Sequence, residues 1–142
     1  MELVLAFRLA DESYGIEVAQ VQEIVEAPSF DYIPLAPPPF VGAINFHGSI
    51  LPVIDLAGYL GFAGTARDGR VIVLPPQLCI LGFTVTALGR IVPLAREALL
   101  PPGGERQQDT FIRGVLNHHG EMINLLDIPR LLASLEGYVA GN

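Results

Sequence analysis

The chain has 142 residues, 51% of them apolar and 16% charged, and a formal net charge of −7. That length normally makes one domain with a real core, and that apolar content excludes a disordered tail. The acidic balance excludes nucleic acid and anionic membrane surfaces as partners, because both demand clustered cations.

Met1-Glu2-Leu3-Val4-Leu5 lacks a basic stretch before a long apolar run, so no signal peptide is expected. Leu3 to Leu9 and Tyr14 to Val18 flank polar Asp11-Glu12-Ser13 and read as a hairpin. Val18 to Val25 reads as a helical turn that returns to strand. Pro28 to Pro39 is a Pro-rich, extended connection, since Pro fixes φ and restricts its predecessor. Val41 to Asn45 and Ser49 to Ile54 are strand-like around the turn residues Asn45-Phe46-His47-Gly48. Pro52 cannot donate to a ladder and is expected at an edge or bulge.

Gly61 to Gly69 reads as a flexible crossing and the boundary between two subdomains. Arg70 to Leu74, Leu78 to Phe83 and Thr84 to Thr86 are strand-like, Ala87 to Arg90 turn-like, and Ile91-Val92 strand-like again. The uncharged stretch Val71 to Gly89 is long enough to span a bilayer, but Pro75-Pro76-Gln77 interrupts it, so strands joined by a turn are expected. Pro101 to Asp109 is a polar loop. A further hairpin turns at Asn117-His118-His119-Gly120, and Ile128 to Leu135 closes the chain as a short helix. Many short strands between Gly and Pro turns give an all-β fold of small barrels.

The chain repeats itself. Gly42 to Leu56 returns as Gly114 to Ile128, displaced by 72 residues, with Gly, Asn, His, Gly and Asp in register. Gly15 to Val25 is echoed more weakly by Gly82 to Val92, displaced by 67. Residues 1–142 are therefore expected to be one domain of two related, interleaved subdomains enclosing a groove.

Candidate chemistry is thin. Asp55 and Asp127, one from each repeat, suggest an aspartyl-type hydrolase in which two close carboxylates share a proton. The Thr or Ser and Gly that follow such an Asp are missing, and each Asp stands where a strand gives way to a helical turn. The expectation is two structural caps, with Pro129 just inside the second helix. His47, His118 and His119 have no HExxH, CxxC or carboxylate cluster beside them, so neither a metal nor a cofactor is expected. Cys79, the single cysteine, lies in an apolar run and reads as a buried structural thiol. Pro34-Leu35-Ala36-Pro37 matches PxxP but reads as connector rather than as a peptide for an SH3-type groove.

Several segments together resemble the CheW family of chemotaxis coupling proteins. They are Phe7-x-Leu9-x-Asp11-Glu12-x-Tyr14-Gly15-Ile16-x-Val18, Val21-Gln22-Glu23-Ile24, Ile33-Pro34-x-Ala36-Pro37 and the run from Gly42 to Leu56. Arg70-Val71-Ile72-Val73, Phe111 to Val115 and Leu125 to Ile128 extend the match over nearly the whole chain. The resemblance implies two SH3-like five-stranded β-barrel subdomains and a non-catalytic adaptor in the bacterial cytoplasm. It implies two partners: the regulatory domain of a CheA-type histidine kinase and the cytoplasmic tip of a methyl-accepting chemoreceptor. It assigns the receptor site to Val21, Gln22, Glu23, His47 and Gly48, and a kinase-facing position to Ile50. Glu23 and His47 are then expected to be neighbours. Two departures from the family pattern stand out. His47 replaces an Arg and lacks its bidentate fork, and Thr86 replaces an Asp. They leave open a divergent adaptor serving a pilus-motility or other specialised array.

Overall fold

In the computed structural model, which describes residues 1–64 and 66–140 with side chains through residue 137, the apolar runs become ten strands. The first hairpin is β1 (Leu3–Leu9) and β2 (Glu12–Glu17). A 3₁₀ turn at Val18–Gln20 leads to β3 (Glu23–Glu26). The first repeat forms β4 (Phe40–Phe46), β5 (Ser49–Asp55) and a one-turn helix α1 (Leu56–Tyr59). Then come β6 (Arg70–Val73), β7 (Gly82–Thr84) and β8 (Ala87–Pro93). The second repeat forms β9 (Ile112–His118), β10 (Glu121–Leu126) and α2 (Ile128–Ala140).

The strands make two five-stranded, SH3-like sheets. One has the order β8-β1-β2-β10-β9 and the other β3-β6-β7-β5-β4. Replacing each strand of the first by its partner five places along the chain generates the second. Each sheet therefore takes two strands from one repeat and three from the other. The repeats have exchanged strands within a single chain.

The correspondence reaches side chains. A Cβ on Gly15 would meet Val4 Cγ1 at 2.5 Å and Ile123 Cγ2 at 3.1 Å. A Cβ on Gly82 would meet Val71 Cγ1 at 2.5 Å and Leu51 Cδ2 at 3.3 Å. Val71 stands 67 residues after Val4, and Ile123 stands 72 after Leu51. Both glycines sit where parallel strands pair, β10 with β2 and β5 with β7, and both must stay small to let them close.

The core has three parts, because strand residues alternate between two buried faces. Val4 and Ala6 face the inside of the first sheet with Val92, Ile123 and Leu125. Leu5, Phe7 and Leu9 face a larger central core shared with Ile54, Ile72 and Phe83 of the second sheet and with Leu60 and Leu74 beside it. Val71 and Val73 face a third cluster with Leu51 and Val53. Burial on both faces explains the near-continuous apolar strands.

Several expectations are corrected. The chain crosses between sheets at residues 18–22 and 85–86, whereas 61–69 lies within the span of the second sheet, between α1 and β6. Residues 78–81 form no strand: the Leu78 and Cys79 N–H groups both donate to the Pro75 carbonyl, which makes a turn. Ala87 to Arg90 is strand, paired to β1. α2 runs to Ala140, beyond the expected end at Leu135. Pro52 lies in a strand flanked on both sides, opposite Ala43, but the ladder to β7 starts only at Val53. Cys79 is half-buried, and burial raises its thiol pKa above the usual value. The PxxP segment is not extended: Leu35 has φ 61° and the Ala36 N–H donates to the Ile33 carbonyl at 3.4 Å, a tight turn. No helix among the described residues is long and apolar enough to cross a membrane.

Candidate docking site

Both repeat hairpins turn on a His-Gly pair with positive φ, His47 (50°) with Gly48 (84°) and His119 (50°) with Gly120 (87°). Two-residue turns with both φ values positive match the twist of the flanking strands. In each, an Asn side chain accepts the Gly N–H: Asn45 Oδ1 from Gly48 and Asn117 Oδ1 from Gly120, both at 3.0 Å.

The first turn aims His47 at β3. His47 Nε2 lies 3.0 Å from Glu23 Oε1, with side chains 67% and 41% exposed. The Phe46 ring packs edge-on against the imidazole at 4.3 Å. Glu23 is fixed by pairing of β3 with β6, and the Gln22 N–H donates to the Val73 carbonyl at 2.8 Å. Beside this pair is a cavity of about 260 Å³. Its floor is Leu51, Val73 and Leu74; its rim is Gln22, His47, Ile50 and Ile80. Ile50 is 77% exposed and Ile80 61%. The site is thus an apolar pit edged by a hydrogen-bonded polar pair.

Of the residues singled out in the sequence, Gln22, Glu23, His47 and Ile50 converge here. Gly48 shapes the turn and has open space around it. Val21 instead packs against the central core. The sequence does not single out Ile80, because residues 78–83 read as strand, and it gives Phe46 only as a turn residue. The second turn carries no such pair: Arg90 stands 67 residues after Glu23 and reaches Glu121 at 3.8 Å.

The aspartates divide. Asp127 Oδ1 accepts the Arg130 N–H at 3.1 Å. Asp55 makes no capping bond, and its Oδ1 is buried without a partner, which corrects the expectation of a second cap. Gly58 stands to Asp55 as Arg130 stands to Asp127, but only the Arg130 N–H bonds its Asp side chain. Asp55 lines a cleft whose described wall does not include Asp127, so the two do not share one site. No group of three or more His, Cys, Asp or Glu able to hold a metal occurs among the described residues. Thr86 ties the crossing between sheets to the β1–β2 turn. It accepts the Ala10 N–H on Oγ1 at 2.9 Å and donates its own N–H to the Arg8 carbonyl at 3.0 Å.

The first sheet is braced by charge. Glu17, at 8% exposure, accepts from Arg96 on one oxygen and Arg113 on the other, and Arg96 also binds Glu2. Arg106 clamps Glu12 at 2.7 and 2.8 Å and Asp109 at 3.0 Å. Its hydrogen bond holds Asp109 below the usual carboxylate range, and Arg96 does the same for Glu2.

The architecture is two SH3-like sheets that share a core, with an apolar pit beside the first repeat turn. Comparison with known proteins gives its family. Residues 3–136 match the family model for the CheW-like domain, and the chain belongs to that family. It is 29% identical to a probable chemotaxis protein CheW of Rhizobium etli, over 96% of this chain and 91% of that one. It is 33% identical to the protein FrzA of Myxococcus xanthus, over 89% and 82%. The solved structure of the scaffolding protein TtCheW from Thermoanaerobacter tengcongensis superposes with a TM-score of 0.78, at 31% identity, covering 89% and 88%. The chain is a non-catalytic adaptor of chemotaxis-type signalling, of the family that couples receptors to CheA kinases.

Proposed function

We propose that the pit beside the first hairpin turn receives the cytoplasmic tip of a methyl-accepting chemoreceptor, with Gln22, Glu23 and His47 orienting it and Gly48 shaping the turn. Ile50 is the contact to the regulatory domain of a CheA-type kinase. Val21 supports the site from the core side. The adaptor then works in the cytoplasm at receptor arrays, where holding two partners together raises their effective concentration without any chemical step.

The observation that carries the reading is the convergence of Gln22, His47 and exposed Ile50 around one apolar cavity, with Glu23 hydrogen-bonded to His47. A pit with apolar floor and polar rim fits an amphipathic helix. The test is calorimetric titration of the full chain with a receptor-tip fragment and, separately, a kinase regulatory domain. Glu23→Ala should weaken the receptor fragment alone, and Ile50→Asp, at the rim of the same pit, should weaken the kinase domain more than the receptor fragment. Full affinity for both partners in both variants would reject the assignment.

A further inference from the structure

β3 and β4 are the two open edges of the second sheet, and both line one groove of about 490 Å³. Alternate residues of an antiparallel strand turn their N–H and C=O groups away from the partner strand. The Ala27 N–H continues the bonding of β3 towards β6, donating to the Gly69 carbonyl at 2.7 Å, so Ile24 and Glu26 turn their groups outward. Ala43 of β4 is bonded outward, exchanging two bonds of 2.8 Å with Asp31, so Asn45 turns its groups outward as well. The chain's own segment thus pairs with the β4 edge at a single bridge and goes no further. Ile24, Glu26 and Asn45 are all exposed.

The groove is acidic. Its described wall holds Glu23, Glu26 and Asp31, with His47 the one basic group. Glu23 bonds His47, but Glu26 and Asp31 have no ion pair among the described residues, and Arg70, opposite Glu26 on β6, lies outside the wall. The first sheet treats the same place differently. Its own bridge, Leu100 with Val115, lies beside Arg96 and Arg113, which hold Glu17 between them. The residues corresponding to Arg96, Glu17 and Arg113 are Ser29, Thr84 and Val41, all uncharged. One sheet supplies its own cations, and the other leaves two carboxylates for cations from outside. Outward backbone groups match an extended segment, as in strand addition to an exposed edge. The groove shares Phe46 and His47 with the pit, so the two surfaces are continuous.

We propose that this groove takes an extended basic segment of a partner protein, its backbone paired to the β3 edge at Ile24 and Glu26 and its Lys or Arg side chains on Glu26 and Asp31. The assignment is independent of the receptor and kinase contacts proposed for the pit.

The test is an NMR titration of the full chain with the peptide acetyl-Arg-Val-Arg-Val-Arg-amide, its acidic counterpart with Glu in place of Arg, and the basic peptide fully N-methylated along its backbone. Saturable shifts at the Ile24, Glu26 and Asn45 amides are expected with the basic peptide and not with the acidic one. N-methylation keeps the charge and removes the donors that pair with the edge, and should weaken binding about tenfold. Glu26→Arg, at an exposed position, turns attraction into repulsion and should also weaken the basic peptide about tenfold. Ser29→Arg, which supplies the cation that the first sheet has at this place, should do likewise. Shifts confined to the Ile50 and Ile80 amides would put the peptide in the pit instead. That result, absent shifts, equal binding of the acidic or N-methylated peptide, or undiminished binding in both folded variants overturns the proposal.

Discussion

At His47 a short imidazole meets Glu23 in an exposed pair. Exposed pairs contribute roughly 0–1 kcal/mol to folding, so this one acts through orientation of the docking surface. His47→Arg should leave the melting temperature nearly unchanged and tighten receptor-tip binding through the bidentate fork. Equal affinity of the two proteins in titration calorimetry would remove His47 from the site. Glu17 is the opposite case, a nearly buried carboxylate between two guanidinium groups. Glu17→Ala takes the described partner from Arg113, leaves Arg96 with Glu2 alone, and should destabilise by about 2–3 kcal/mol, read by urea denaturation. The exposed clusters set the acid response. Glu2 and Asp109 are held below the usual carboxylate range by hydrogen bonds from Arg96 and Arg106. Depressed carboxylates stabilise the fold above their unfolded pKa, about 4, and that contribution is lost as pH falls through their folded values. Arg106→Gln should therefore lower the urea midpoint slightly at pH 6 and converge with the parent protein below about pH 4. Solvent screening keeps the difference small. A gap that widens on acidification would contradict the pairing.

At the scale of elements, turns and close approaches dominate. Leu35 sits at φ 61° on a tight turn and is 98% exposed, a conformation that favours Gly or Asn. Leu35→Gly should raise stability by about 1 kcal/mol, because it relieves left-handed strain and removes no core contact. A fall in melting temperature would show that the side chain packs in solution. Gly15 and Gly82 test the duplication. Each faces a Val methyl 2.5 Å from where its Cβ would lie, so Gly15→Ala and Gly82→Ala should each cost about 1–3 kcal/mol through overpacking. A large loss at one position and none at the other would break the equivalence. These glycines were visible in the sequence as an echo displaced by 67 residues, but nothing local said what they approach.

The whole molecule is a duplicated unit whose halves have exchanged strands, so neither half owns a complete sheet. Cutting the chain in the 61–69 connection should give two fragments that are unfolded alone and regain β structure when mixed, as followed by circular dichroism. A fragment that folds alone would mean that a repeat can close on itself. The central core shared by both sheets makes the same demand, since Leu5, Phe7 and Leu9 pack with Ile72 and Phe83 of the other sheet.

The sequence by itself determined the hairpins, the His-Gly turns and the internal repeat, because turn chemistry and apolar alternation act within a few residues. Through its segment pattern it also pointed to the adaptor family and to Glu23 beside His47. Tertiary structure alone decided which sheet each strand joins. The repeat pattern is identical whether the halves close separately or exchange, and strand pairing between distant segments leaves no local mark. It likewise decided the unequal fates of Asp55 and Asp127. Both stand at the same place in the motif, but one precedes a 13-residue helix that offers it an N–H. The other precedes a single turn and forms no cap, and its Oδ1 is buried without a partner by the packing around it.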